Sequence, residues 1–290
     1  MNKIISKKQL AEGIFRYSIE NEDIARVRKP GQFIILRVYE RGERIPLTIV
    51  DSDINKGTID IIFQVTGKTT ALLSELEEGN SILDIVGPLG NPTHIENYGR
   101  SIMIGGGVGV AVLYPVLKVL REAGNNITSI LGARHKSLLI LKNEVKDLSD
   151  RLILITDDGS SGKKGFVTDA LLELLSQGEI FNFAYVVGPV MMMREISEIT
   201  KRYNIKTEVS LNPIMVDGTG MCGACRCLIE GKERFACIDG PDFDAHKVDF
   251  DLLERRLRMF KNKEEISFNQ YQKRTRHPIK RNKGISDYND

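Results

Sequence analysis

All four cysteines of this chain fall within sixteen consecutive positions, as Cys222, Cys225, Cys227 and Cys237. Plant-type iron–sulfur sites have the spacing C-x4-C-x2-C, followed by one more distant cysteine. Counting back five positions from Cys222 reaches Asp217, so the frame is Asp217-x4-Cys222-x2-Cys225 and then Cys237. We therefore predict an iron–sulfur cluster held by Asp217, Cys222, Cys225 and Cys237.

Three glycines in the same stretch, Gly218, Gly220 and Gly223, favour this interpretation. Glycine lets the backbone wrap closely around a cluster and aim its N–H groups at the sulfur atoms. Cys227 is the rival for the fourth ligand position, because in an extended segment it lies on the same face as Cys225.

Three other uses of the cysteines compete with a cluster. Structural zinc is bound by similar C-x2-C pairs, but zinc sites usually have two such pairs and this chain has one pair plus a crowded Cys227. Disulfides are disfavoured, because the polar, basic start of the chain (MNKIISKKQL) is no signal peptide and we expect a reducing cytoplasm. Unligated core thiols explain the glycines least well.

Composition excludes several broad classes. The chain has 290 residues, with 41% hydrophobic and 28% charged residues, which is ordinary for a globular protein of about two domains. A net charge of +2 argues against a general nucleic-acid-binding role. Apolar runs such as Val108–Tyr114 are too short to span a membrane. We expect a cytoplasmic protein with neither a nucleic-acid nor a membrane partner.

The first ninety residues alternate short apolar runs with turns, which predicts an antiparallel barrel. One short helix is expected within it, at Thr70–Leu76, and the Gly- and Pro-rich residues 87–99 read as a linker. The expected strands are Gly13–Ile19, Gln32–Val38, Ile45–Val50 and Thr58–Val65.

From residue 101 the pattern changes to alternating strand and helix, which predicts a parallel sheet covered by helices on both faces. The expected strands are Ser101–Ile104, Asn126–Leu131, Arg151–Thr156, Phe183–Val187 and Lys206–Ser210. The expected helices are Val110–Ala123, Leu138–Leu148, Val167–Leu175 and Val190–Tyr203.

After the cysteine loop, a tail is expected to be partly helical at Asp249–Phe260 and irregular beyond it. Residues 272–283 contain six Lys and Arg and no acidic residue. This stretch would suit an acidic partner, or it is a solvated tail.

The first strand–helix junction of the α/β region is a glycine turn. Gly106, Gly107, Val108 and Gly109 leave room for a pyrophosphate at the helix N-terminus. The turn is GGGVG and does not match the strict G-x-G-x-x-G fingerprint. We predict a nucleotide-binding site here.

Other candidate nucleotide ligands also follow strands of the α/β region. Gly188, Pro189 and Met192 occupy another strand–helix junction, where the Met191–Met193 run would pack on a flat ring or simply fill the core. 

Arg134 follows the second strand, and Asp157 and Asp158 follow the third. Carboxylates at that edge would bond the ribose hydroxyls of NAD and repel a 2′-phosphate. Lys163 and Lys164 lie nearby in the sequence, and their positive charges would attract a 2′-phosphate. They therefore reduce the expected preference for NAD over NADP.

The barrel region carries candidate flavin ligands. Arg44 offers a guanidinium for a phosphate and Thr48 a hydroxyl for a flavin ring nitrogen, with Pro46 and Leu47 between them. Gly67, Lys68, Thr69 and Thr70 precede a helix and would hold a diphosphate. A surface arginine and an ordinary helix N-cap are the alternative readings.

With these motifs in order, residues 1–240 resemble the ferredoxin–NADP reductase superfamily. The resemblance is carried by Pro30–Phe33, Arg44–Thr48, Gly67–Thr70, Gly105–Gly109 and the cysteine loop. Two branches are most similar: the electron-transfer subunits of dihydroorotate dehydrogenase, and the small subunits of NADH-dependent ferredoxin:NADP oxidoreductases.

The resemblance implies FAD on the barrel, NAD(H) or NADP(H) on the α/β domain, and a 2Fe–2S cluster at the C-terminal loop. Leu47 stands where the superfamily has an aromatic residue, and Thr48 follows Arg44 by four positions instead of three. Asp217 stands where the dihydroorotate branch has cysteine, which favours the ferredoxin:NADP oxidoreductase branch.

We therefore predict an FAD-binding antiparallel β-barrel (1–95), an NAD-binding α/β domain with a parallel sheet (96–210), a 2Fe–2S segment (211–246) and a subunit-docking extension (247–290). The resemblance implies an enzyme subunit that passes electrons between NAD(H), FAD and the cluster. Its partner would be a larger flavin and 4Fe–4S subunit, and through it ferredoxin, in an electron-bifurcating complex. The alternatives are a dihydroorotate dehydrogenase electron-transfer subunit and a zinc-containing regulatory nucleotide-binding subunit.

Overall fold

The computed structural model describes residues 2–276, and within them the chain begins with a six-stranded antiparallel barrel. Its strands follow the order β1-β2-β5-β4-β3-β6, and a bridge between Lys3 and Ser81 brings the chain just before β6 back beside β1. The elements are β1 (Ile4–Ala11), β2 (Ile14–Glu20), α1 (Glu22–Val27), β3 (Phe33–Arg37), β4 (Arg44–Asp53), β5 (Thr58–Gln64), α2 (Lys68–Glu75) and β6 (Asp84–Leu89).

Strand alternation fills the barrel, because every second side chain points inward. Tyr17, Ile34, Leu36 and Phe63 are fully or almost fully buried there. The Tyr17 hydroxyl donates to the carbonyl oxygens of Leu73 at 2.8 Å and of Leu76 at 3.0 Å, which fixes α2 against the barrel.

The α/β region forms a seven-stranded sheet in the order β10-β9-β8-β7-β11-β12-β15, whose last strand, β15 (Asp242–Asp244), comes from the C-terminal segment. All its pairs are parallel except β12 with β15. The elements up to residue 210 are β7 (Arg100–Gly106), α3 (Val110–Glu122), β8 (Asn126–Ala133), α4 (Lys142–Leu148), β9 (Arg151–Thr156), β10 (Lys163–Lys164), α5 (Val167–Ser176), β11 (Phe183–Val187), α6 (Val190–Arg202) and β12 (Lys206–Ser210). The predicted barrel and parallel-sheet architecture is thus confirmed.

The C-terminal segment contributes one strand, β15, to this sheet. Its elements are β13 (Arg226–Ile229), β14 (Lys232–Phe235), α7 (Ala236–Asp239), β15 (Asp242–Asp244), α8 (Phe250–Leu257) and α9 (Lys261–Arg276). Strand β13 pairs with β14 as a hairpin, and β15 pairs antiparallel with β12. The cysteine loop therefore lies between strand β12 of the sheet and the β13–β14 hairpin.

Two shared cores join these parts. Val50 and Ile62 of the barrel pack with Val116 on α3, so the barrel sits against the α/β region. Phe33 and Ile35 on the outer face of β3 belong to the core that contains the buried cysteines. The barrel is thus in contact with both of the other regions.

Four local expectations were wrong. Helix α1 was not expected, although Asn21 caps it by accepting the Ile24 N–H at 3.1 Å. The helix predicted at Leu138–Leu148 begins only at Lys142, because Leu141 has φ +54° and is incompatible with a right-handed helix. Residues 87–99 are not all linker, since β6 extends to Leu89. The tail beyond residue 260 is helical in α9 rather than irregular.

The extension after residue 246 is packed against the rest of the protein. Phe250 and Leu253 of α8 are buried in the core with the cysteines, and the Asp249 N–H donates to the Leu228 carbonyl at 2.9 Å. Helix α9 packs on α2 through Tyr271. Of the basic stretch 272–283, Lys273 and Arg274 are exposed, and residues 277–283 lie outside the described part.

Over residues 2–276, none of the helices combines the length and the apolar character needed to cross a membrane.

Candidate functional site

The cluster loop, residues 217–225, leads from the α/β sheet to the β13–β14 hairpin. Gly218, Gly220 and Gly223 all have positive φ, between +66° and +83°. A Cβ on Gly218 would lie 2.5 Å from Leu89 Cδ1 and 3.1 Å from Ile35 Cγ1, so the loop lies directly on the barrel. Glycine is required here both by conformation and by space.

Two of the predicted ligands are already in contact. Cys225 and Cys237 are each 2% exposed, and their sulfur atoms are 3.2 Å apart. Burial, followed by the neighbouring Cys225 thiol, raises the pKa of Cys237 to about 12. The raised pKa keeps the Cys237 thiol protonated at neutral pH, so binding a metal here would release its proton.

Cys222 and Asp217 lie at the same loop. Cys222 is exposed, and its sulfur accepts the Ala224 N–H at 3.5 Å. The Asp217 carboxylate accepts the N–H groups of Thr219 and Cys222, both at 2.8 Å. These bonds, the one from Thr219 first, lower the pKa of Asp217 and keep it ionised.

Cys227 is in a different environment from Cys222. It is 1% exposed on β13, and its thiol donates to the Arg234 carbonyl across the hairpin at 3.5 Å. Burial, and then the nearby Cys225, raises its pKa to about 12. Cys227 is thus a close neighbour of Cys225 that already has a hydrogen-bond partner in the hairpin.

The donor set fits an iron–sulfur cluster in chemistry and location. Within residues 2–276, no three His, Cys, Asp or Glu side chains are already arranged as a metal-ligand group. Cys225 and Cys237 nevertheless touch, and Asp217 is joined to Cys222 by a hydrogen bond on the same loop. The exposed Cys222 thiol is the remaining member of the predicted set.

The predicted flavin residues of β4 divide between its two faces. Arg44, Pro46 and Thr48 alternate along one face. Thr48 is opposite Phe33 in the ladder, so this face lies outside the barrel, towards the cluster loop. The Leu47 side chain points the other way and packs against the barrel core, so it is not brought together with the other three.

The predicted diphosphate loop forms the start of α2. Gly67 is the N-cap, and the Thr70 hydroxyl accepts its N–H at 3.1 Å. The Thr69 hydroxyl donates to Glu43 at 2.8 Å, while Lys68 is half-buried. Because Glu43 precedes Arg44, this bond holds the start of α2 beside the start of β4.

One cleft joins the predicted flavin and cluster sites. Its lining includes Arg44 from β4, Asp217 from the cluster loop and Ile35 from β3, and its volume is about 220 Å³. An ion pair between Arg37 and Asp84 forms part of its wall. No local pattern predicts this pair, because its members are on strands that meet only in the fold.

The predicted nucleotide junctions meet at the carboxyl ends of β7 and β11, which are neighbours. A Cβ on Gly106 would lie 2.6 Å from Met192 Sδ, and one on Gly109 would lie 2.8 Å from the Val187 carbonyl oxygen. Gly107 has φ +57° and open space around it. The two turns therefore pack tightly on each other and leave the surface at Gly107 accessible.

The methionine run has two roles. Met193 is fully buried and fills the core, whereas Met192 is half-buried and lies against Gly106 and Gly188. Pro189, the N-cap of α6, also approaches Gly106, and Val108 is half-buried beside it.

The acidic turn after β9 lies at the same edge of the sheet. Asp157 and Asp158 are exposed, and the Asp158 N–H donates to the Arg134 carbonyl at 3.2 Å. Strand β9 is two strands from β7, or about 10 Å. Lys163, whose positive charge would favour a 2′-phosphate, is paired with Glu173 at 2.6 Å.

Sequence reasoning missed one residue at the cluster loop. Arg256 on α8 donates from Nη2 to the Ala224 carbonyl at 3.2 Å. No local signal identifies it, because only the packing of α8 brings it to the loop.

Two family models match segments of this chain that contain candidate sites. Residues 212–249 match the family described as the iron–sulfur cluster binding domain of dihydroorotate dehydrogenase B. Residues 103–198 match the oxidoreductase NAD-binding domain. The two matches cover the cluster loop and the glycine turns, respectively.

Relatives match over nearly their whole length. A Thermotoga maritima protein named as a homolog of the dihydroorotate dehydrogenase B (NAD+) electron transfer subunit is 48% identical over 273 residues, covering 94% of this chain and 96% of the relative. The Geobacillus thermodenitrificans electron transfer subunit is 33% identical over 254 residues, covering 84% and 96%.

Solved structures agree with the fold. A structure of an NADH-dependent reduced ferredoxin–NADP oxidoreductase, described for flavin-based electron bifurcation, superposes with a TM-score of 0.89 at 47% identity, covering 94% of this chain and 98% of that one. A Neisseria gonorrhoeae ferredoxin NADP+ reductase, 17% identical with a TM-score of 0.59, covers 72% of this chain and 98% of its own, and supports the fold alone.

Proposed function

Since the chain belongs to the family of dihydroorotate dehydrogenase B electron-transfer subunits and their homologues, we propose that it passes electrons between NAD(H), FAD and a 2Fe–2S cluster. The complex in which it works is an electron-bifurcating NADH-dependent ferredoxin:NADP oxidoreductase. The 47% identity to a chain of such an enzyme, over almost the full length of both, supports this choice.

The observation that carries the proposal is the common cleft of Arg44 and Asp217. Arg44 belongs to the proposed flavin site, and Asp217 to the proposed cluster site. Because Arg44 and Thr48 lie on the same face of β4, a flavin bound along that face would lie beside the cluster loop, close enough to exchange electrons with a cluster without a mobile carrier.

The redox chemistry belongs to the cofactors: bound FAD accepts two electrons together and releases them singly, and the cluster carries one at a time. The protein binds and orients them. Arg44 and the N-terminus of α2 would bind the FAD diphosphate, and Thr48 would hold the flavin ring through its hydroxyl.

The α/β domain would supply the nicotinamide nucleotide. The turn Gly106–Gly109 would receive its pyrophosphate at the start of α3, and Gly188–Met192 would form the opposite wall. Asp157 and Asp158, with Arg134 beside them, would bond the ribose hydroxyls.

The domain assignment is proposed as 1–95 for FAD, 96–210 for the nucleotide and 211–246 for the cluster. Residues 247–257 would support the cluster segment, and the surface beyond them would dock a larger flavin and 4Fe–4S subunit. The names of the relatives, which are called electron transfer subunits, support a partner subunit in general. Ferredoxin would be reached through that partner.

A second candidate is the electron-transfer subunit of a dihydroorotate dehydrogenase, which the names of the relatives favour. Asp217, in place of the cysteine of that branch, argues for the first candidate. The match of residues 212–249 to an iron–sulfur domain argues against the zinc-containing regulatory subunit.

Affinity purification of this chain from its native host tests the proposal. The expected product is a coloured complex with flavin, iron and sulfide, containing a larger flavoprotein, which reduces NADP+ with NADH and reduced ferredoxin. A partner that oxidises dihydroorotate would establish the second candidate. A colourless protein containing zinc would overturn both.

A further inference from the structure

Arg256 extends from α8 onto the cluster loop. Its Nη2 donates at 3.2 Å to the carbonyl oxygen of Ala224, which lies between two of the proposed ligands, Cys222 and Cys225. Its Nε–H is buried and has no hydrogen-bond partner among the described residues. A buried donor without an acceptor is costly, so a nearby anionic group would satisfy it.

A second guanidinium at the loop, that of Arg226, also has a buried Nε–H without a partner in the described part of the chain. Its charge is compensated differently, because Arg226 pairs with Glu233 at 3.4 Å and lies over the Phe235 ring. Arg256 makes no ion pair within residues 2–276, since the neighbouring Glu254 pairs with Arg258. Arg256 therefore brings an uncompensated positive charge to the loop.

The position of Arg256 is fixed by the packing of α8. Leu253, one turn earlier on the same helix face, is fully buried. Asp249 caps the helix by accepting the Leu252 N–H at 2.8 Å, and its own N–H donates to Leu228 on β13. The guanidinium is thus held at the loop by a rigid support.

We propose that Arg256 is a positioning residue that compensates the charge of the cluster and raises its reduction potential. The inference rests on the proposed function. A cluster bound by three thiolates and one carboxylate would be anionic, and its one-electron reduction would add a further negative charge. A fixed positive charge beside a partly buried site would stabilise the reduced form more than the oxidised form.

The test compares three variants of the full chain in its holo complex. Arg256→Gln removes the charge and keeps hydrogen-bonding capacity, and Arg256→Lys keeps the charge. Arg255→Gln, at an exposed neighbouring position on α8, is the matched control. The readout is the midpoint potential of the cluster, from an anaerobic redox titration followed by EPR.

We expect Arg256→Gln to lower the potential, by up to about 59 mV if the one-electron equilibrium changes about tenfold. Arg256→Lys should restore most of the potential, and Arg255→Gln should leave it unchanged. An unchanged potential in a fully loaded Arg256→Gln protein would overturn the proposal.

If Arg256→Gln does not retain the cluster, the Arg256→Lys variant distinguishes charge compensation from a purely structural role. A loaded Lys variant with a near wild-type potential supports charge compensation, and loss of the cluster from both variants assigns Arg256 a purely structural role. A wild-type protein without iron, sulfide or flavin would instead defeat the proposed function itself, so the two failures are distinguishable.

Discussion

The hydroxyl of Tyr271 on α9 donates to the Glu75 carboxylate on α2 at 2.5 Å. Tyr271 is 7% exposed and packs against Ala71 and Leu72 of α2. Helix α9 is thereby fixed on α2, whose N-terminus is the proposed FAD diphosphate site. The C-terminal extension therefore supports an element of the proposed flavin site in its own chain.

Replacement of Tyr271 should therefore loosen α9. Tyr271→Ala should destabilise its docking by about 3 kcal/mol through lost burial, whereas Tyr271→Phe should cost only about 1 kcal/mol for the hydrogen bond. Limited proteolysis and FAD retention on gel filtration measure the effect, with Lys273→Ala at an exposed position as the control. Equal resistance of Tyr271→Ala and wild type would contradict the prediction.

Two truncations should behave differently. Ending the chain after residue 246 removes the buried Phe250 and Leu253, so we expect loss of the cluster and a lower melting temperature. Ending it after residue 260 keeps α8, so the cluster should remain while the partner subunit is lost. Iron content and co-purification measure both effects. Full iron retention after truncation at 246 would show that α8 is dispensable for the cluster.

The proposed ligand set predicts how much each ligand variant should affect the cluster. Cys227→Ala should keep iron content and the EPR signal of the reduced cluster nearly intact, because Cys227 already has its partner in the hairpin. Asp217→Ala should destabilise the cluster, and Asp217→Cys should keep it with a shifted potential. If Cys227→Ala loses the cluster while Asp217→Ala keeps an unchanged spectrum, Cys227 is the ligand.

Nucleotide preference should follow the acidic turn. NADH should reduce the flavin faster than NADPH, because Asp157 and Asp158 disfavour a 2′-phosphate and Lys163 is paired with Glu173. The double change Asp157→Ser and Asp158→Ser should lower the ratio of the NADH to the NADPH reduction rate about tenfold, because it removes the two carboxylates that would repel the 2′-phosphate. Stopped-flow bleaching of the flavin measures both rates, and Glu144→Ser on α4 is a control at another exposed acidic position. Faster wild-type reduction by NADPH would contradict the assignment.

Glu208 should make stability depend on pH. Burial, and then the neighbouring Asp242, raises its pKa to about 7. A carboxyl whose folded pKa is raised stabilises the fold below the pKa of the unfolded chain, about 4.3, and this contribution is lost as the pH rises through 7. Glu208→Gln should therefore stabilise the protein at pH 8 by about 1 to 2 kcal/mol, after allowance for its partial exposure. 

Thermal unfolding at pH 5 and pH 8 measures this effect. The gain from Glu208→Gln should be much smaller at pH 5, because Glu208 is then protonated in the folded protein. An equal gain at the two pH values would mean that Glu208 does not titrate in this window.

Local signals account for much of the fold. Short apolar runs separated by turns identified β2 to β5, and alternating strand and helix patterns identified the parallel sheet, because burial gives each element its own local pattern of apolar residues. Helix α9 was missed because it is polar on most of its surface, so its sequence lacks an apolar stripe, and it packs through few residues such as Tyr271. Helix α1 carried an Asn21 cap signal that could have identified it.

The sequence by itself determined which residues can do chemistry: the cysteine spacing, the glycines that need positive φ, and the order of barrel, nucleotide turns and cluster loop. These are properties of neighbouring residues and of single backbone positions. Only the tertiary structure decided that Arg44 and Asp217 share a cleft, that Leu47 faces the barrel core, and that Arg256 reaches Ala224. Such contacts join residues far apart in the chain. They depend on how whole cores pack together, and no local preference encodes that.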